Sequence, residues 1–197
     1  MAAKRAKTLT DEQLVQVLEY VGKTSKQPIR DYTMILLSFK GALRAAEIAG
    51  LSWRDVTDAF GNVRTDLFEV PDGIAKKGHG RTVPMHRALY AALCALKAAQ
   101  HKDATRGKQP VIPGLHGPRM SPNNLQKYMA RLYQNMGLDG VSSHSGRRTF
   151  ITKAIRAANK YNCSIKDVQG AVGHRHIDTT ENYIDPSESV GLLVNSI

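Results

Sequence analysis

Cysteine is scarce in this chain of 197 residues: there are two, Cys94 and Cys163, and they have neither pairing nor metal-binding spacing. That excludes a disulfide framework, and both thiols are expected inside helices, buried, in a reducing compartment. Long apolar runs are also missing. None approaches the roughly 20 residues that a bilayer span requires, and nothing has the form of a secretory leader, so no membrane association and a cytoplasmic location are expected. No internal repeat or low-complexity block interrupts the chain. Acidic residues are the minority charge, 17 Asp+Glu against 28 Lys+Arg, which gives a formal net charge of +11 and an isoelectric point near 9.8. The excess runs from Lys4 to Arg175 and implies a polyanionic partner, most often nucleic acid. A basic surface with no partner is the bland alternative. Hydrophobic residues, at 42%, suffice for one large domain that folds unaided.

The pattern predicts a mainly α-helical fold with a small antiparallel β-sheet. Residues 1–9 form a basic arm. Thr10 and Gln13 have capping-box form, and Leu14, Val17, Leu18 and Val21 follow at helical spacing until Gly22. Pro28 opens a second helix whose Met34, Ile35, Leu36, Leu37 and Phe39 must be buried on most sides. A third restarts after Arg44. An arginine at a helix N-terminus opposes the helix dipole, which argues for another purpose; a surface arginine paired to Glu47 is the competing reading. Residues 55–84 turn to short β-like runs, Val56-Thr57, Phe68-Glu69-Val70, Gly73-Ile74-Ala75 and Arg81-Thr82-Val83. The last hairpin carries Lys76, Lys77 and His79 at its tip, either a mobile cationic loop or a charged turn that keeps the hairpin soluble.

Residues 86–100 read as an alanine-rich helix, and residues 101–120 as a basic loop around Val111-Ile112. Ser121-Pro122 opens the next helix, with Leu125, Tyr128, Met129, Leu132 and Met136 as its buried stripe and Gly137 as its stop. Ser142 or Ser143 caps a helix that bears His144 and Arg147. Ser164 with Asp167 starts another that Gly173 ends, and Asp178 with Glu181 starts a last one carrying Tyr183. Beyond it, residues 186–197 hold an apolar ridge of Val190, Leu192, Leu193, Val194 and Ile197 that needs a partner surface.

His144 and Arg147, three apart, share one helix face, and His174 precedes Tyr183 by nine residues. The set suits a phosphate: a guanidinium fork for its oxygens, imidazoles to donate or move protons, and a tyrosine hydroxyl as nucleophile. A metal-dependent nuclease using His144, His174, His176 and Asp178 is a rival, but Asp178 is better used as a helix cap. A DNA-binding regulator without catalysis is another.

Arg44-Ala-Ala-Glu47, Lys77 at a hairpin tip, His144-x-x-Arg147, Gly173-His174 and Tyr183 occur in this order. Together they resemble the catalytic domain of the tyrosine recombinases, the phage integrase family, over about residues 10–185. Type IB topoisomerases share the chemistry, but the short chain and the spacing favour a recombinase. Only about ten residues precede the first expected helix, too few for the N-terminal DNA-clamping domain of most members. The similarity is therefore to single-domain members such as the fimbrial phase-variation recombinases, or to an excised catalytic domain. Ala42, where the family more often has Gly, Gly146 in place of a usual Leu, and Arg148 where His is frequent are departures expected to bear on packing.

The resemblance implies a site-specific DNA recombinase. Tyr183 would attack a phosphodiester to give a 3′-phosphotyrosyl link, Arg44 and Arg147 would neutralise the non-bridging oxygens, His144 would move the tyrosine proton, His174 would donate to the phosphate, and Lys77 would protonate the 5′-oxygen. A free tyrosine is only about a thousandth ionised at neutral pH, so cationic surroundings must supply the difference. No metal or other cofactor is implied. The implied partners are double-stranded DNA with inverted-repeat sites, three further copies in a homotetramer on DNA from a protein monomeric in free solution, and accessory DNA-bending proteins. The tail, residues 186–197, is expected to dock in trans on a neighbouring protomer.

Overall fold

The computed structural model describes residues 5–115, 118–173, 180 and 183. Helix α1 (Asp11–Thr24) begins with the expected reciprocal cap: the Gln13 backbone N–H donates to Thr10 Oγ1 at 3.2 Å, and the Thr10 N–H donates to Gln13 Oε1 at 3.0 Å. Its Leu14, Val17 and Val21 are buried against α2 (Pro28–Phe39), and it runs two residues past Gly22. In α2 the run from Met34 to Leu37 is at most 1% exposed, because this helix is enclosed by α1, α3 (Ala45–Gly50), α5 (Arg87–Ala99) and α7 (Ser145–Ala158). Burying each such side chain stabilises the fold by about 1.5–3 kcal/mol, so α2 is the axis around which those four helices are set.

Between α3 and α5 lie the short helix α4 (Trp53–Val56) and two antiparallel strands, β1 (Leu67–Val70) and β2 (Arg81–Pro84), with Leu67 opposite Pro84 and Val70 opposite Arg81. Phe68 and Val70 face the core while Leu67 and Glu69 face out, the alternation of a half-buried strand. The sheet is smaller than the β-like runs predict. Val56 ends α4 and Thr57 makes an isolated bridge to Val63; residues 73–75 fold back in a turn, with the Ile74 and Ala75 N–H groups donating to Pro71 O at 3.1 Å. Lys76–Gly78 then forms a single 3₁₀ turn, with Gly78 at φ +68°. Asp72 decides this local fold: its Oδ1 accepts the Gly80 N–H at 2.6 Å and closes the loop across eight residues, where continued pairing would have needed an extended chain.

Helix α6 (Pro122–Asn135) is capped by Ser121 as expected. Helix α7 starts later than the sequence suggests: the Ser142 N–H donates to Ser145 Oγ, and His144 occupies the N-cap. After a 3₁₀ turn (Asn159–Tyr161), α8 (Ile165–Val172) has the predicted Ser164–Asp167 capping box and ends on Gly173 in the left-handed conformation. Cys94 is half-buried in α5, whereas Cys163 lies outside any helix and is exposed; both thiols are free. Ala42, Ile151, Ala158, Val168 and Val172 form a second, smaller apolar cluster beside the main core. No helix among the described residues is long and apolar enough to cross a membrane. The helix expected from Asp178 and Glu181, apart from Thr180 and Tyr183, and the apolar tail fall outside the described residues.

Candidate active site

The site begins where α2 stops. The Lys40 and Gly41 N–H groups both donate to Leu36 O, the chain turns through Ala42 at φ +53°, and Leu43 N–H donates to Leu37 O. This sharp reversal delivers Arg44 to the N-cap of α3. There its backbone N–H donates to Glu47 Oε2 at 2.8 Å and its Nη1 to Glu47 Oε1 at 2.7 Å. Glu47 is fully buried, and it also receives Arg81 of β2 as a two-pronged fork, Nη1 to Oε1 at 2.9 Å and Nη2 to Oε2 at 3.0 Å. Arg147, on the first turn of α7, donates Nη1 to Ala42 O at 2.6 Å and Nη2 to Val172 O at 2.5 Å. One guanidinium thus ties the end of α2 to the end of α8.

Gly173 completes this packing. It sits at φ +64°, and a Cβ there would come within 2.7 Å of Arg81 Cδ, so both backbone and space require glycine. Two guanidiniums, of Arg44 and Arg81, thus bind one carboxylate, and that of Arg147 lies close enough to feel its charge. Burial would raise the Glu47 carboxyl, but hydrogen bonds and charge from Arg81, then from Arg44, outweigh it and hold the group at about 2. Arg147 is pulled down to about 9 by burial and then by the positive charges of Arg44 and Arg81. It remains charged at neutral pH, and three cations less one anion leave an excess of two positive charges. Such a cluster favours an incoming anion.

These groups open into a cleft of about 490 Å³ lined by Arg44, Glu47, Lys76, Gln126, His144, Arg147 and Tyr183, with Ile74 and neighbouring small side chains. Of the six residues predicted from sequence, four are therefore brought together: Arg44, His144, Arg147 and Tyr183. His144 is exposed at the N-cap of α7, with its backbone N–H on Ser142 Oγ at 3.3 Å. The Tyr183 ring packs on the smaller apolar cluster, and the Arg148 guanidinium lies over it, 5.5 Å from the ring centroid. Lys77 is in the 3₁₀ turn Lys76–Gly78, and His174 falls outside the described residues. Lys76, expected at the hairpin tip beside Lys77, lines the cleft, whereas Arg81, Gln126 and the contact made by Arg148 do not follow from the sequence pattern. No group of three or more His, Cys, Asp or Glu side chains among the described residues could hold a metal ion.

The model of the phage integrase family matches residues 7–189, nearly the whole chain. The chain belongs to that family. Tyrosine recombinase XerC of Rhodospirillum centenum is 28% identical over 158 residues, covering 80% of this chain and 42% of that protein. XerC of Vibrio parahaemolyticus is 28% identical over 178 residues, 90% of this chain and 53% of the other. The chain thus spans about half the length of the curated relatives it matches. Among solved structures, the Tn1549 transposon integrase in complex with a circular intermediate DNA superposes with a TM-score of 0.76 at 20% identity, covering 100% of this chain and 67% of that one. The fold of this phage integrase family member is accordingly that of a tyrosine recombinase catalytic domain, mostly helical with a small antiparallel sheet.

Within the family frame the departures gain physical reasons. Ala42 holds a left-handed backbone, φ +53°, that the expected glycine would adopt more easily. Gly146 lets α7 lie directly on α2, since a Cβ at that position would be 2.8 Å from Phe39 Cδ2. A leucine would force the two helices apart.

Proposed function

We propose that this phage integrase family protein breaks and rejoins double-stranded DNA at specific sites through a covalent tyrosyl intermediate. The observation that carries this reading is the convergence of Arg44, Arg147, His144 and Tyr183 on one cleft whose buried charges are in cationic excess. In the forward step the Tyr183 Oη–phosphorus bond forms as the phosphorus–O5′ bond breaks. The phenolic proton leaves towards His144, and Lys77 gives a proton to the departing 5′-oxygen. A partner strand's 5′-hydroxyl reverses these steps and reseals the strand, so the bond energy is conserved and no nucleotide cofactor is consumed. Arg44 and Arg147 neutralise the non-bridging oxygens, contacts whose loss lowers phosphoryl-transfer rates by about 10³–10⁵. With two guanidiniums in that role no metal clamp is required. His174 is assigned to the same phosphate.

The DNA substrate carries inverted-repeat sites, on which four copies assemble from free monomers, with accessory DNA-bending proteins as further partners and the cytoplasmic nucleoid as the place of action. Residues 186–197 pack on the adjacent protomer, burying their apolar ridge there. The test uses nicked duplexes built from the inverted repeats that flank the gene, with covalent adduct read on denaturing gels. Wild-type protein should form adduct in excess EDTA, and Tyr183→Phe should form none while still binding DNA. Adduct persisting in that variant would move the nucleophile elsewhere, with exposed Tyr161 the next to try. Cleavage that needs added Mg²⁺ would revive a metal-dependent nuclease.

A further inference from the structure

We propose that Arg148 is a positioning residue for Tyr183, holding the ring through its face and favouring negative charge on it; this rests on the strand-cleavage reading above. Arg147 and Arg148 are adjacent, yet the helix turns about 100° between them and sends them to different tasks. Arg147 is 5% exposed and spends two of its N–H groups on the carbonyls of Ala42 and Val172. Arg148 is half-buried, its backbone fixed by the bond from its N–H to His144 O at 3.0 Å, and its guanidinium carbon lies 5.5 Å from the Tyr183 ring centroid. That separation is within the roughly 6 Å over which a cation is attracted to an aromatic face.

The same side chain packs against the smaller apolar cluster that includes Ala42, Ile151, Ala158, Val168 and Val172, so apolar contact and a cation together limit where its hydroxyl can go. A planar, weakly hydrated guanidinium suits this stacking better than an ammonium. The contact also acts on the chemistry. As the phenol gives up its proton and attacks, electron density on the ring rises and attraction to the cation grows. In the reverse step, when the Tyr183 oxygen is the leaving group, the same attraction favours its departure. Arg148 should therefore change the rate of both steps and leave DNA affinity alone.

Arg148→Gln and Arg148→Lys should be compared with wild type in single-turnover adduct formation on the nicked duplex at saturating protein, alongside Kd for the uncleaved site. A further readout is the ring resonances of ¹³C-labelled tyrosine without DNA, with Tyr183 assigned by Tyr183→Phe. Arg148→Gln should slow adduct formation by about three- to thirtyfold, the range set by an exposed to a desolvated cation–π contact, with Kd unchanged within about twofold and the Tyr183 resonances displaced. Arg148→Lys should recover part of the rate. Unmoved resonances, an unchanged rate, no recovery with lysine, or a weaker Kd with a normal rate at saturation would each overturn the proposal, the last by making Arg148 a phosphate ligand. A wild-type protein that forms no adduct would instead sink the strand-cleavage reading, before any variant is compared.

Discussion

Glu47→Gln keeps the shape of the site and removes the one buried carboxylate that Arg44 and Arg81 share. That carboxylate accepts four hydrogen bonds, two from Arg44 and two from Arg81. A glutamine can accept through one oxygen only, and its own N–H₂ would face donors. Arg81, whose side chain is 5% exposed, would then keep a charge with no counter-ion. Breaking a buried pair in this way costs about 3–5 kcal/mol. The lowered Glu47 carboxyl sets a second scale for the same interaction. Arg81 and Arg44 hold the folded-state carboxyl at about 2, against 4.5 for an unperturbed glutamate, a difference equivalent to roughly 3 kcal/mol at 1.36 kcal/mol per pH unit. Because the folded value is the lower one, this stability is fully present above pH 4.5 and is lost as pH falls from there to about 2. Urea unfolding of wild type and Glu47→Gln, followed by circular dichroism in steps from pH 7 to pH 2 at constant ionic strength, measures both quantities. Wild type should be more stable by about 3–5 kcal/mol at pH 7, with the gap closing by about 3 kcal/mol across the acid window. Asp11, Glu12, Asp58 and Asp167 also have lowered values, but they are common to both proteins and cancel in the difference. A gap that stays constant between pH 5 and pH 2, or equal stability at pH 7, would refute the shared-carboxylate account.

At Ala42, a β-branched side chain is incompatible with φ +53°, so Ala42→Val should cost about 2 kcal/mol in thermal or urea unfolding. It should also slow adduct formation by shifting the carbonyl that holds Arg147, whereas Ala42→Gly should keep adduct formation at wild-type rate; a neutral Ala42→Val would remove the strain argument. Lys77→Ala should be rescued by a 5′-bridging phosphorothiolate, whose sulfur leaves without a proton. Because Lys76 and Lys77 share a 3₁₀ turn, strand alternation cannot separate them, and rescue of Lys76→Ala alone would move the general acid by one residue. Deleting residues 188–197 should abolish pairing of two DNA sites while single-site cleavage persists. Wild-type pairing by the truncated protein would exclude the tail as the subunit contact.

Caps and buried runs could be read from sequence because their causes are local. Thr10 with Gln13, Ser121 with Pro122, and Ser164 with Asp167 each set a helix start within three residues, and the run from Met34 to Phe39 can only be interior. At residues 73–75 the apolar content suggests a strand, but Pro71 O and Asp72 Oδ1 capture the backbone in a turn. The role of Arg81 is not local, because its partner is 34 residues away. A signal did exist: Arg81 and Val83 share one face of β2 by period-two alternation, and Val83 is a core residue. A cation on a buried face needs acceptors to offset its burial, and a buried carboxylate such as Glu47, beside Arg44, is one that can do so. The two readings of Arg44 also merge, since its pairing with Glu47 is what places its guanidinium at the cleft.

The position of Glu47 addresses a difficulty inherent in any site built from several arginines. Like charges held within one cleft repel: burial first, and then the charges of Arg44 and Arg81, pull the Arg147 guanidinium below its ordinary value. If the substrate phosphate alone offset it, the cluster would have to assemble during binding and the reorganisation would be taken from the transition state. Here the protein supplies the first anion itself. Glu47 fixes Arg44 and Arg81, while the carbonyls of Ala42 and Val172 fix Arg147 with no full charge of their own. The cluster is thereby held in place by internal bonds yet keeps an excess of positive charge for a second anion. A phosphodiester entering the cleft would meet donors already oriented, and its single negative charge would relieve part of the strain on Arg147. The carboxylate that looks like a competitor for the substrate's arginines is, on this reasoning, what makes them available in a fixed geometry.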